Sequence, residues 1–118
     1  MSALDKPLPS NTEAERIVLG AILIDNKFIS DAAETLVKTD FYHPTYSAIY
    51  GAMLELYSKS LPIEPVGIVE TLKSNGESLS VVRVMELLHG LPAVHTLDTH
   101  IEVVGEKSKA RQFIRAIS

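Results

Sequence analysis

Tyr46, Ile49, Tyr50, Met53, Leu54 and Tyr57 recur at intervals of three and four residues, the period of one face of an α-helix. The polar Ser47, Glu55 and Ser58 fall largely off that face. Nowhere in the chain do apolar and polar residues alternate for more than four positions, so the pattern offers no strand to pair. The same helical period continues on both sides, cut into pieces by Pro, Gly, Asn and Asp. The expected fold is therefore all-α.

Upstream, Ser10 and Glu13 have the S-x-x-E spacing of a capping box, in which each side chain satisfies the other residue's free N–H. Ala14, Ile17, Val18, Ala21 and Ile22 then form one stripe, while Leu19, Leu23 and Ile24 make the other sides apolar too. A helix greasy all round belongs at the centre of a bundle. Gly20 inside it costs about 1 kcal/mol of helix propensity against Ala, and the expected compensation is a close approach by a neighbouring helix.

Asp25-Asn26 ends this helix and caps a second over 27–37, with Phe28, Ala32, Ala33 and Leu36 as its apolar positions. Asp40 is expected to cap one short turn that directs Phe41 and Tyr42 inward, and Pro44 suits the first position of the next helix. Two prolines in Leu61-Pro62-Ile63-Glu64-Pro65 force an extended link. Pro65 opens a short helix through Ile68, Val69 and Leu72, stopped by Asn75-Gly76. Ser78 or Ser80 caps another, with Val81, Val84, Met85 and Leu88 on one face and Gly90 at its end. After the break at Leu91-Pro92-Ala93, Thr96 caps a last helix through Leu97, Ile101, Val104, Ala110, Ile114 and Ile117. The expected organisation is a flexible arm over 1–9, a globular bundle over 10–94, and a long C-terminal helix over 95–118.

Composition narrows the function. The 118 residues carry 11 basic and 15 acidic side chains, a formal charge of -4, the wrong sign for a surface that grips nucleic acid throughout. With no cysteine there is no disulfide scaffold, thiol nucleophile or thiolate zinc site. No apolar run approaches a membrane span, and Met1 to Ser10 lacks the apolar stretch of a secretory signal. A soluble cytoplasmic domain is the expectation.

Candidate chemistry is sparse. Glu86-Leu87-Leu88-His89 has the Glu-x-x-His spacing that puts a carboxylate and an imidazole on one helix face, as in di-iron bundles. Asp40 and His43 repeat that spacing with Asp. A di-metal site needs a second Glu-x-x-His and two more inward glutamates, so a boundary or core histidine is the plainer reading of His89. His95 and His100 lie about 140° apart around a helix and cannot share a metal from one face. Asp98, Glu102 and Glu106 share a face, which reads as a solvated side or an acidic docking strip. Lys107, Lys109, Arg111 and Arg115 suit a helix C-terminus, where cations complement the macrodipole; phosphate contact is the alternative. Gly105-Glu106-Lys107-Ser108 lacks the glycine before the lysine that a phosphate-binding loop requires. Tyr46, Tyr50 and Tyr57 lie on the helical stripe, where packing explains them and their hydroxyls need partners or the surface.

The order of these blocks is more distinctive than any one site. Asn11-Thr12-Glu13-Ala14-Glu15 runs into Val18-Leu19-Gly20-Ala21-Ile22-Leu23 and Asp25-Asn26. Asp40-Phe41-Tyr42 and Pro44 precede Ile49-Tyr50 and Ala52-Met53, and Pro62-Ile63-Glu64-Pro65-Val66 follows, with Leu72 and Gly76 behind it. From Ser10 onward the chain resembles the N-terminal domain of the DnaB-type replicative DNA helicases of bacteria. That family reads approximately N-x-E-A-E-x-x-V-L-G-A-I-L-x-D-N, then D-F-Y-x-P, I-[FY]-x-A-M and P-[IL]-D. Glu64 stands where Asp is usual, Gly67 where Thr is usual, and Val82-Arg83 where two glycines are common. Val103-Val104-Gly105-Glu106-Lys107 departs from I-V-R-E-K at Gly105.

The resemblance implies a non-catalytic collar: a small helical bundle followed by a helical hairpin, of which the last helix here is the first half. In the family such domains pair through the hairpins into a trimer of dimers, contact the C-terminal domain of primase and take part in helicase loading. ATP and Mg2+ belong to a motor domain C-terminal to the collar, so no cofactor and no tight DNA binding are expected of this chain. Ile101, Val104, Ala110, Phe113, Ile114 and Ile117 of the last helix are the expected interface with a second copy or partner. The alternative is a free-standing helical adaptor or a small carboxylate–histidine metal-binding bundle.

Overall fold

The computed structural model describes residues 7–92 and 96–118. Its helices are α1 (Thr12–Ile24), α2 (Phe28–Ala33), α3 (Pro44–Ser58), α4 (Pro65–Ser74), α5 (Val81–Met85) and α6 (Leu97–Ile117). Single 3-10 turns lie at Lys38–Asp40 and Glu86–Leu88. Among the described residues there is no strand, as the sequence pattern predicts.

The sequence places α1 at the centre, and the structure puts it there: Val18, Leu19 and Ile22 have no measurable exposure. Of its apolar residues only Ile24 at the end, 58% exposed, escapes. A Cβ on Gly20 would meet the Leu87 carbonyl oxygen at 2.5 Å and a Leu91 methyl at 2.8 Å, so the missing side chain allows the close approach. It is a 3-10 turn and the segment after it that come near, not a full helix. The cap differs from expectation. Asn11, not Ser10, accepts the Ala14 N–H at 2.9 Å, which shifts the helix start by one residue and leaves Glu13 too early to close a box. Glu13 pairs with Arg16 instead, and that guanidinium holds its carboxyl below the usual range.

Proline and glycine punctuation is read correctly. Pro44 and Pro65 open α3 and α4, while Gly76 and Gly90 take positive φ at the stops. Ser80, of the two candidates, caps α5 by accepting the Arg83 N–H. Asn26 braces the extended link between α3 and α4: its amide oxygen accepts the Ile63 N–H and its nitrogen donates to the Ile22 and Ile63 carbonyls. Tyr50 is fully buried and donates its hydroxyl to the Leu36 carbonyl at 2.9 Å.

Three expectations need correcting. α2 ends at Ala33 rather than near Val37, because the Asp40 carboxylate takes the Val37 N–H at 2.7 Å and starts a new turn there. Ile29 is buried where Ala33 is exposed. Of the two aromatics after that turn only Phe41 points inward; Tyr42 is 40% exposed. Across α5 and the 3-10 turn that follows it, the buried pair is Val84 and Leu87, not Val81, Val84, Met85 and Leu88. The helix tightens to 3-10 after Met85, and that geometry eclipses residues three apart, which leaves Val82, Met85 and Leu88 outside.

The expected domain bounds fall partly outside the described residues. Residues 1–6, Ala93, Val94 and His95 lie outside the described residues, and with them most of the expected arm, part of the break after Leu91 and the expected boundary at 94–95. Within the rest of the arm, Leu8 and Pro9 are half-buried. α6 packs against α1 through Leu97, Ile101 and Val104, so its first half belongs to the same core as the bundle.

Candidate protein-interaction site

α6 has two faces. Counting about 100° per residue, Leu97, Ile101, Val104, Ser108 and Arg111 share an arc of about 80°, and all five are buried. Ala110, Phe113, Ile114 and Ile117 share a separate arc of about 100° on roughly the opposite side. Of these, Phe113 is 66% and Ile117 65% exposed, with Ala110 and Ile114 half-buried. The six expected interface residues therefore do not act together. Ile101 and Val104 build the domain's own core, and the outward apolar group is the remaining four. Val104 and Ala110 are six residues apart, about 240° around the helix, so the apolar positions of α6 fall on two stripes rather than one.

The inward stripe changes character along the helix. Ser108 and Arg111 continue its three- and four-residue spacing but are polar, 2% and 3% exposed. Buried polar groups must be hydrogen-bonded, and these are. Ser108 donates to the Asp40 carboxylate at 2.7 Å. The Arg111 guanidinium donates to the Asp40 carbonyl at 2.7 Å and the Pro9 carbonyl at 2.9 Å, and lies 5.2 Å from the centre of the Tyr42 ring. Burial pulls Arg111 below its ordinary pKa, while the nearby Glu15 and Asp40 charges favour its charged form. Arg111 is thus no spare cation at a helix end, contrary to its grouping with Lys107, Lys109 and Arg115.

Glu15 is the acidic counterpart that the sequence reading passed over. It sits inside α1 at 1% exposure and accepts the Tyr42 and His43 N–H groups at 2.9 and 3.1 Å. The signal was available: Glu15 precedes Val18, Leu19 and Ile22 by three, four and seven residues, on the face that packs inward. The two most recognisable sequence blocks, Asn11-Thr12-Glu13-Ala14-Glu15 and Asp40-Phe41-Tyr42, are joined by this carboxylate. Asp40, Glu15 and Arg111 together fix α6 against α1 and the start of α3.

The metal-like spacings come to different ends. Asp40 is occupied by Ser108 and Val37, while His43 accepts the Thr45 N–H and stacks on Tyr46. Glu86 pairs with Arg83. Both line, with His89, a cleft of about 460 Å³ that also takes in Arg16 and Tyr46. Among the described residues no three His, Asp or Glu side chains converge as a metal would require; His95 lies outside them. Asp98, Glu102 and Glu106 are exposed and, with Asp31 and Glu34, edge a second cleft between α2 and α6. No described helix is long and apolar enough to cross a membrane.

α6 therefore builds the core of an all-helical domain with one face and turns an apolar group outward with the other. Comparison with known proteins is specific. The family model described as the DnaB-like helicase N terminal domain matches residues 7–106, and the chain belongs to that family. It is 31% identical over 114 residues to the replicative DNA helicase DnaC of Bacillus subtilis, a match covering 94% of this chain and 25% of the relative. With the replicative DNA helicase DnaB of Geobacillus stearothermophilus it is 31% identical over 110 residues, 91% of this chain and 24% of the relative. The chain thus spans about a quarter of the length of the curated relatives it matches.

Among solved structures, the N-terminal domain of DnaB helicase from Mycobacterium tuberculosis superposes with a TM-score of 0.86 at 27% identity, covering 93% of this chain and 81% of that one. The N-terminal domain of DnaB helicase from Helicobacter pylori, described with its interactions with primase, superposes with a TM-score of 0.81 at 21% identity, covering 99% and 93%. The second likeness bears on fold alone.

Proposed function

We propose that the chain serves as the N-terminal collar of a hexameric replicative DNA helicase in the bacterial cytoplasm. It self-associates through the outward face of α6, as a dimer and within the parent as a trimer of dimers. It docks the C-terminal domain of primase and takes part in loading. In this reading ATP and Mg2+ serve the motor part of the helicase rather than this 118-residue chain. The net charge of -4 supports protein partners over DNA, because binding to phosphates is driven by counterion release at basic surfaces.

The observation that carries the reading is the exposed apolar end of α6, centred on Phe113 and Ile117, in a chain that belongs to this family. Large apolar side chains grouped on a surface mark association sites. Calorimetric titration with the C-terminal domain of the primase from the same organism tests it. Saturable binding, without ATP hydrolysis by this chain, is the expected result. No binding, together with a monomeric mass at every concentration examined, would overturn the proposal.

A further inference from the structure

Arg111 is the last residue through which α6 is fully buried in the domain. Beyond it every residue is exposed except the half-buried Ile114, and Arg115, one turn along the same line, is exposed. The groups that hold the guanidinium do not come from the neighbouring long helices. They are the carbonyls of Asp40, in the 3-10 turn before α3, and of Pro9, 102 positions away at the other end of the chain. Leu8, Pro9 and Ser10 are half-buried, so this stretch lies seated on the body of the domain.

We propose that residues 7–9 form a strap which, through the Pro9 carbonyl, holds Arg111 and so sets the terminal turns of α6 that carry Phe113 and Ile117. A buried guanidinium has donors in a fixed fork and cannot leave one unpaired cheaply. With the strap lifted, Arg111 loses one of its two carbonyl partners and must swing toward water to satisfy that donor. That movement loosens the last anchored turn. The coupling is reciprocal: a partner that orders the end of α6 tightens the strap, and one that draws the strap away weakens whatever assembly the helix end supports. The strap stands on its own contacts, and only its effect on assembly rests on the function proposed above.

Amide hydrogen exchange tests it on the full chain, a variant lacking residues 2–10, in which Met1 takes the place of Ser10 and no carbonyl remains at position 9, Arg111→Lys, and the two changes combined. The strap predicts exchange about tenfold faster across 109–117 in the deletion, the scale of one charge-assisted hydrogen bond, with the amides of 49–56 in α3 unchanged. Arg111→Lys, which cannot fork to two carbonyls, should give a similar local effect, and the combination should add nothing to it. Unchanged exchange after deletion overturns the proposal. So does an effect shared equally by α3, or deletion and substitution effects that multiply. A chain that stays monomeric while showing the predicted exchange speaks against the assembly reading alone.

Discussion

Replacing Gly20 by Ala sets two effects of opposite sign against each other, and the structure decides between them. In an isolated helix the change gains about 1 kcal/mol of propensity. Here the new methyl would lie 2.5 Å from the Leu87 carbonyl oxygen and 2.8 Å from a Leu91 methyl, so α1 and the 86–91 segment must part. Forced overpacking costs about 1–3 kcal/mol. The same separation strains the Arg16 guanidinium, which donates to the Leu87 and His89 carbonyls at 3.1 and 2.7 Å; weakening those bonds adds about 1 kcal/mol. The net expectation is a loss of about 2 kcal/mol, or about 10 °C in Tm for a domain of this size. Gly105→Ala is the control: it also lies inside a helix, but the nearest atom, a Leu36 methyl, is 3.7 Å away, so propensity should prevail and stability should rise by up to about 1 kcal/mol. Urea unfolding of both variants reads the difference. A stabilised Gly20→Ala would refute the close-approach argument.

Glu15→Gln keeps the size of a side chain that is 1% exposed but removes one of the oxygens that accept the Tyr42 and His43 N–H groups. It should cost about 2–3 kcal/mol in urea unfolding, and a neutral result would contradict the buried knot. Tyr50 has its phenol pushed well above the usual value by burial first and the Asp40 charge second. A group whose folded pKa is raised contributes stability that is complete below its unfolded pKa of about 10 and is lost as pH rises beyond it. Stability should therefore fall above about pH 10, with a shallower fall in Tyr50→Phe, and an ultraviolet alkaline titration should show one tyrosine ionising only on unfolding.

How far the fold can be read from the sequence depends on how local the deciding chemistry is. Pro44, Pro65, Gly76 and Gly90 each fix backbone geometry within a residue or two, and the helix limits they mark are where the sequence puts them. The inward face of α5 was misjudged because tightening to a 3-10 turn is not visible in an apolar pattern. The two-faced character of α6 was missed for a different reason. Its inward stripe turns polar at Ser108 and Arg111, and only the distant Asp40 and Pro9 reveal that those side chains are buried. Glu15 was legible as a position, but its meaning depends on backbone amides nearly thirty residues away. Of the six residues expected at the interface, Phe113 and Ile117 lie exposed at the end of α6, while Ile101 and Val104 needed three-dimensional packing to be assigned to the core.

The division of α6 into a face that builds the domain and a face proposed to assemble it is tested most directly by one substitution on each. Sedimentation equilibrium and urea unfolding would be run on Ile101→Ala and Phe113→Ser beside the parent chain. Ile101 is 8% exposed, so its truncation should cost about 2–4 kcal/mol and leave the self-association of the folded protein in place. Phe113, 66% exposed, should change stability by no more than about 0.5 kcal/mol while its loss shifts the protein to monomer. A Phe113→Ser chain that unfolds early, or that associates as strongly as the parent, would contradict the account.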